Sequence, residues 1–206
     1  MSFKKTYTQK QIEDLRPGQQ YQDCIFDKLA FIGRDLQECK FTNCSFEGCN
    51  LTDTKFNAST FTECNLSNAN VAGCNFFSVT FETCKLLGVH FSKANSVTGI
   101  TFKKCNFDFT DLRGIDLSCQ DLSDCSFHEA DLSLTNLEKT VFINSHISNI
   151  KLNEAKLGET DFRGAELQGF NLKTSNLKGI ILTSQQLKML AEDIGITVLE
   201  SGNENL

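Results

Sequence analysis

Phe41-Thr-Asn-Cys44-Ser-Phe46-Glu-Gly-Cys49-Asn-Leu51-Thr-Asp-Thr54-Lys-Phe56 repeats one pattern every five residues. A large apolar residue, called i here, returns at each fifth place, and a small one sits two places before it. The count runs back to Tyr21 and forward to Phe91 without an exception, over 15 positions. After one additional residue it resumes at Val97 and holds through 18 more positions to Leu182, all of them Val, Phe, Leu or Ile. These 33 positions contain 14 of the chain's 18 Phe. Neither a helix of 3.6-residue period nor a strand of period two produces such a pattern. A fixed repeat of this length specifies a solenoid, in which each unit buries its apolar face against its neighbours.

Position i−2 holds nine of the ten Cys: Cys24, Cys39, Cys44, Cys49, Cys64, Cys74, Cys84, Cys105 and Cys125. Most other i−2 residues are Ala, Ser, Thr, Val or Ile, so a small and a large side chain both point inward. Positions i−1, i+1 and i+2 carry nearly all the Asp, Glu, Lys, Asn and Arg, and face solvent. The single inward register makes the cysteines packing residues, small buried hydrophobes in place of metal ligands or disulfide partners. Cys119, at i+2, is the exposed exception.

The wording of the pentads, as in Ala130-Asp131-Leu132-Ser133-Leu134 and Ala165-Glu166-Leu167-Gln168-Gly169, resembles the pentapeptide-repeat family, whose unit reads A(D/N)LXX with Phe often in place of Leu. The resemblance covers residues 21–182. It implies an all-β right-handed quadrilateral β-helix, one pentad per side and four per turn. That gives roughly eight coils at the ordinary strand spacing of about 4.8 Å. The square section comes from the family; periodicity alone gives only the repeat and the inward pair.

Length and charge narrow the function. A chain of 206 residues fits one domain with an ample core. A net charge of −6 argues against direct nucleic-acid binding and for basic partners. Free thiols and a polar N-terminus lead us to expect the reducing cytosol, and no apolar run approaches the length of a membrane span.

Residues 1–20 read as an N-terminal cap, with a short helix from Tyr7 to Leu15 stopped before Pro17. Arg34, Gln120 and Phe170 occupy i−2 positions that suit none of them, so the wall should distort locally or release the side chain. Between Phe91 and Phe102 the register has gained one residue. Residues 92–101 therefore form either a tolerated bulge or a recognition loop offering Ser92, Lys93, Asn95, Ser96, Thr98 and Gly99.

Beyond Leu182 the periodicity becomes helical. Thr183-Ser-Gln-Gln186 fits a capping box, Leu187, Leu190, Ala191 and Ile194 share one face, and Gly195 suits the helix end. Ile196-Thr-Val-Leu199 reads as a short strand and residues 200–206 as a disordered tail. Leu187, Leu190, Ile194, Ile196 and Val198 are more apolar than covering one coil requires, so residues 183–199 are expected to join two copies. This segment resembles the C-terminal part of the Qnr quinolone-resistance proteins and of related immunity proteins, in which it joins two rods end to end.

No glycine-rich phosphate loop and no nucleophile with a base is discernible, and His90, His128 and His146 are assigned to different sides of the rod. The expectation is a non-enzyme with neither cofactor nor metal. Charge is the remaining signal. Asp108, Asp111, Asp116, Asp121, Asp124, Glu129, Asp131 and Glu138 stand against the single base Arg113, a net −7 over residues 106–138. Residues 139–182 carry a net +2. The resemblance implies a homodimeric DNA mimic that binds DNA gyrase or topoisomerase IV and counters drugs or toxins that poison them. The alternative is a structural protein–protein module of the same repeat with an unrelated partner.

Overall fold

The computed structural model describes residues 4–170 and 177–199. The strands are β1 (Lys5–Thr6), β2 (Gln20–Gln22), β3 (Cys24–Ile25), β4 (Lys40–Thr42), β5 (Thr60–Thr62), β6 (Thr80–Glu82) and β7 (Thr101–Lys103), and one helix, α1 (Ser184–Asp193), follows. β2, β4, β5, β6 and β7 form a parallel sheet in which Tyr21 pairs with Phe41, Phe41 with Phe61, Phe61 with Phe81 and Phe81 with Phe102. Single parallel bridges continue the ladder on the other sides and beyond, as in Ser126 to His146 to Glu166. A register of twenty residues places four pentads in each turn, so the chain is a four-sided β-solenoid.

The corners follow from the backbone. Residue i+2 lies in the left-handed region at every described pentad from Asp23 to Gly179 except at Lys93. Gly33 adopts it freely, whereas Asp53 or Lys139 does so at a cost of about 1–2 kcal/mol. Ladder bonds on either side hold it there. At i−1, Asp and Asn accept the backbone N–H of i+1, as Asp121 does from Ser123 at 3.0 Å. The side-chain bond closes the turn locally.

Inside, Phe41, Phe61 and Phe81 stack at centroid distances of 4.9 Å, and Phe107 on Phe127 at 4.7 Å. Ser, Thr and Cys are accepted at i−2 because each can donate to a carbonyl of the coil below. Thr54 reaches Phe31 O at 2.8 Å and Cys74 reaches Leu51 O at 2.8 Å. All ten cysteines are free and nine are buried. Burial pushes the Cys49, Cys74 and Cys125 thiols up to about 12, leaving them protonated and unreactive.

Several expectations change. The N-terminal segment is not a helix from Tyr7 to Leu15. β1 pairs with β3 below the first coil, and a 3-10 turn covers only Gln11–Asp14. Arg34 extends from the interior toward this end, where its Nη2 donates to Glu13 O at 2.7 Å and Leu15 O at 3.2 Å while its Nε stays buried without a partner among the described residues. An unwelcome core residue thus ties down the cap. The additional residue near 92 forms no projecting loop. It is absorbed at one corner by the 3-10 turn Phe91–Lys93, and Ser96 is back in the ladder opposite Asn75.

Gln120 distorts the wall more. Too large for its inward place, it turns into the ladder, where Nε2 donates to Ile100 O at 3.0 Å and Oε1 accepts from Phe102 N–H at 3.3 Å. Among the described residues no backbone hydrogen bond joins 97–104 to 114–124, so two adjacent sides of the rod part there. The other two sides stay paired, Asn106 with Ser126 and Asp111 with Asp131. Phe170 is buried, edge-on to Phe162 at 5.4 Å.

At the far end, α1 opens with the Thr183–Gln186 capping box. Gln186 Nε2 also donates to Phe162 O and Ala165 O at 2.7 and 2.8 Å, covering carbonyls that another coil would have taken. Leu190 is wholly buried in the core. The helix ends in a Schellman arrangement, with Gly195 N–H on Glu192 O and Ile196 N–H on Ala191 O. Residues 196–199 form no strand: Ile196 is already committed to the helix end, and among the described residues this segment has no ladder partner. The expected tail, 200–206, lies outside the described residues.

Candidate functional site

The acidic residues of the central coils do not form a stripe. Asp108 and Glu129 flank the Phe107/Phe127 side, Asp111 and Asp131 the Leu112/Leu132 side, Asp116 and Glu138 the Leu117/Leu137 side, and Asp121 and Asp124 the Leu122 side. Together they make a girdle with two carboxylates on each of four sides.

Their surroundings differ. Asp111 is nearly buried, with a side chain 8% exposed, and Arg113 Nη2 meets it at 2.7 Å while Ser92 Oγ donates at 2.6 Å. Burial works against its charge, yet Arg113 and Ser92 outweigh it and hold the carboxyl well below the usual carboxylate range. Arg113 also stands 3.9 Å from Asp131, and Lys104 3.6 Å from Asp124. Asp108 accepts from Ser126 Oγ and from the His128 backbone N–H. Asp116, Asp121 and Glu138 are exposed and make no ion pair with a described residue. Hydrogen bonds from Ser118 and Ser123 lower the carboxyls of Asp116 and Asp121. The outward charge therefore concentrates on the sides that carry these three.

The six residues considered for a loop lie along the wall. Ser92, Lys93, Asn95, Thr98 and Gly99 are exposed there, and Ser96 is half-buried. At the C-terminus, Leu190 faces the core, away from the surface expected for it. Leu187, Ile194 and Ile196 are 59%, 43% and 53% exposed, joined by Leu199 at 60%. Val198 is half-buried.

His128 and His146 share a side, contrary to the sequence assignment, with ring centroids 6.3 Å apart. One follows Phe127 and the other precedes Ile147; these central residues are twenty apart, one full turn, and that arithmetic was available in the sequence. His90 lies elsewhere, 3.5 Å from Asp111. Among the described residues no group of three or more His, Cys, Asp and Glu is placed to hold a metal ion, and no helix is long and apolar enough to cross a membrane.

Comparison with known proteins agrees with this architecture. Full-length QnrB1, a plasmid-mediated fluoroquinolone resistance protein, matches with a TM-score of 0.77 at 19% identity, over 93% of this chain and 95% of that one. A trypsin-treated QnrB1 matches at 0.65 and 20% identity, over 97% of this chain and 100% of that one. HetL, a pentapeptide repeat protein involved in heterocyst differentiation regulation from the cyanobacterium Nostoc sp., matches at 0.52 and 18% identity, over 81% of this chain and 86% of that one. Identities this low establish a shared fold and nothing further. No curated protein matches the chain. Residues 19–91 fit the sequence profile of the pentapeptide repeat region, and 121–158 and 142–179 fit that of pentapeptide repeats in eight copies. Profiles that cover most of the chain, on a solenoid of five-residue sides, place it in the pentapeptide-repeat family.

Proposed function

We propose that this chain is a non-enzymatic DNA mimic that binds DNA gyrase or topoisomerase IV and protects it from poisons such as quinolones. The observation that carries this reading is the likeness to QnrB1, which runs through nearly the whole of both chains. The acidic girdle supports it. A thin rod with carboxylates on every side offers a basic DNA-binding saddle much the same field whichever way it arrives, as a duplex does. Two copies join through the exposed Leu187, Ile194 and Ile196, with Val198 beside them, in a reducing cytosol where the nine buried thiols stay free.

Supercoiling by purified gyrase in the presence of a fluoroquinolone tests this. Added protein should restore activity at a concentration that leaves uninhibited gyrase unaffected. Failure to restore it with either enzyme would sink the proposal. It would favour the second reading, a repeat module with an unrelated partner. That reading draws on the carboxylates of Asp108, Asp111 and Asp131, which are engaged in bonds within the rod.

A further inference from the structure

His128 Nδ1 lies 2.7 Å from Ser148 Oγ, and His146 Nε2 lies 3.0 Å from the same oxygen. The opposite ring nitrogens face carboxylates: His146 Nδ1 is hydrogen-bonded to Glu166 Oε2, and His128 Nε2 stands 3.4 Å from Glu129 Oε1. An ionised carboxylate only accepts, so Glu166 holds the proton of a neutral His146 on Nδ1 and leaves Nε2 a lone pair turned toward Ser148. His128 Nδ1 shares the same hydroxyl, and moving its one ring proton to Nε2, on the side of Glu129, frees a second lone pair at the same point. Two ring nitrogens thus converge on one hydroxyl oxygen.

We propose that this centre binds a divalent transition-metal ion, copper(II) ahead of nickel(II), between His128 Nδ1 and His146 Nε2, with Ser148 Oγ and water completing a tetragonal set. Metal–nitrogen distances of ~2.0–2.1 Å put the ring centres of two imidazoles on opposite sides of one ion roughly 6.4 Å apart, and those of a tetrahedral pair nearer to about 5 Å. The 6.3 Å found here suits the first arrangement. Tetragonal nitrogen and oxygen ligation belongs to copper(II) and nickel(II), and copper binds more tightly. Glu129 and Glu166 act as the outer carboxylates that orient metal-binding histidines and raise their basicity. With Asp108 beside them they also draw cations to this side. The rings are 36% and 45% exposed, so an ion enters by their outward swing over the buried Ser148. Two imidazoles and a hydroxyl are a smaller protein set than the three or more strong ligands of a dedicated metal centre, which points to micromolar affinity.

The test is a titration of the full chain with copper(II) chloride at pH 7.5, followed by electron paramagnetic resonance, in a Cys119→Ser background that removes the exposed thiol. One tetragonal signal per chain with coupling to two nitrogens is expected. His128→Gln or His146→Gln should weaken binding at least tenfold, with the circular dichroism spectrum unchanged, and His90→Gln should leave it as it was. A double His128→Gln/His146→Gln protein that binds copper as tightly as its parent overturns the proposal. So does nitrogen NMR of the metal-free protein at pH 7.5 in which either ring carries two protons, because a proton then already occupies the centre.

Discussion

Gln120 and Phe102 share a hydrogen bond that elsewhere in the solenoid runs between two backbones: the Phe102 N–H donates to the side-chain amide of Gln120 at 3.3 Å. That amide also takes up Ile100 O, standing in for the peptide groups of Asp121. Gln120→Ser puts a small residue at i−2, where its hydroxyl can donate inward as Ser59 does to Leu36 O. The two coils should then close. Each regained ladder bond contributes about 0.5–1.5 kcal/mol, so the melting temperature should rise by a few degrees. Amide exchange at Asp121 and Lys104 should slow. A lower melting temperature with no new protection would mean that Gln120 supports the wall.

Asp111 and Arg113 set a dependence on acidity. The folded carboxyl of Asp111 sits below its unfolded value of about 3.9, so its stabilisation is fully present above that pH and is lost as the pH falls toward the folded value. Asp111→Asn should lower stability at pH 7 by about 1–3 kcal/mol, since Arg113 loses its charged partner beside a nearly buried site. The variant should also lose less stability than the parent when titrated below pH 4. Asp161 and Arg163 repeat the device at 2.7 Å, and Asp161→Asn should act in the same direction. Urea midpoints at several pH values measure both.

Leu187 and Leu190 separate covering the coil from the proposed joining of two copies. Leu190→Asp buries an unpaired charge, so it should unfold the C-terminal end and shed α1. Leu187 is 59% exposed, and Leu187→Asp should leave α1 intact while converting the proposed dimer to a monomer by light scattering. A Leu187→Asp protein that stays dimeric removes α1 from the interface.

Asp116, Asp121 and Glu138 carry the outward charge. Replacing Asp116 and Asp121 with Asn leaves an amide oxygen to accept the N–H bonds that close the turns, and Glu138→Gln changes a side chain that closes none, so each change should cost under about 0.5 kcal/mol. The proposed association with gyrase should slow several-fold at low ionic strength. The difference should fade near 0.5 M salt, where charges are screened within about 4 Å. Glu63→Gln and Glu82→Gln, exposed residues outside the girdle, serve as the control. Equal slowing per carboxylate removed, three in the one protein and two in the other, would mean that only total charge matters.

The five-residue count located nearly every buried side chain, because burial along a solenoid depends on position modulo five and little else. It could not say how misfits resolve. Arg34 and Gln120 both violate i−2, but one lies near an open end and extends toward it, and the other lies mid-rod and wedges. The strand expected at Ile196–Leu199 was read from composition, which cannot supply the partner edge a strand needs. The girdle was legible as a charge excess, while its division into engaged and outward carboxylates required the neighbours on adjacent coils. His128 and His146 were separated only because the residues before and after a central position were not carried around a full turn.

In a rod whose coils touch only their neighbours, cooperativity is passed along like a message, and its strength depends on how many sides carry it. Most junctions use four sides; the one at Gln120 uses two. Upstream the interior is dominated by stacked Phe, and downstream by Leu with a few rings, so the two blocks differ in intrinsic stability. Heat should therefore melt them at separate temperatures, and a calorimetric trace should resolve two transitions where a seamless solenoid of this length gives one. The misfit of one side chain makes a single domain behave as a pair of folding units.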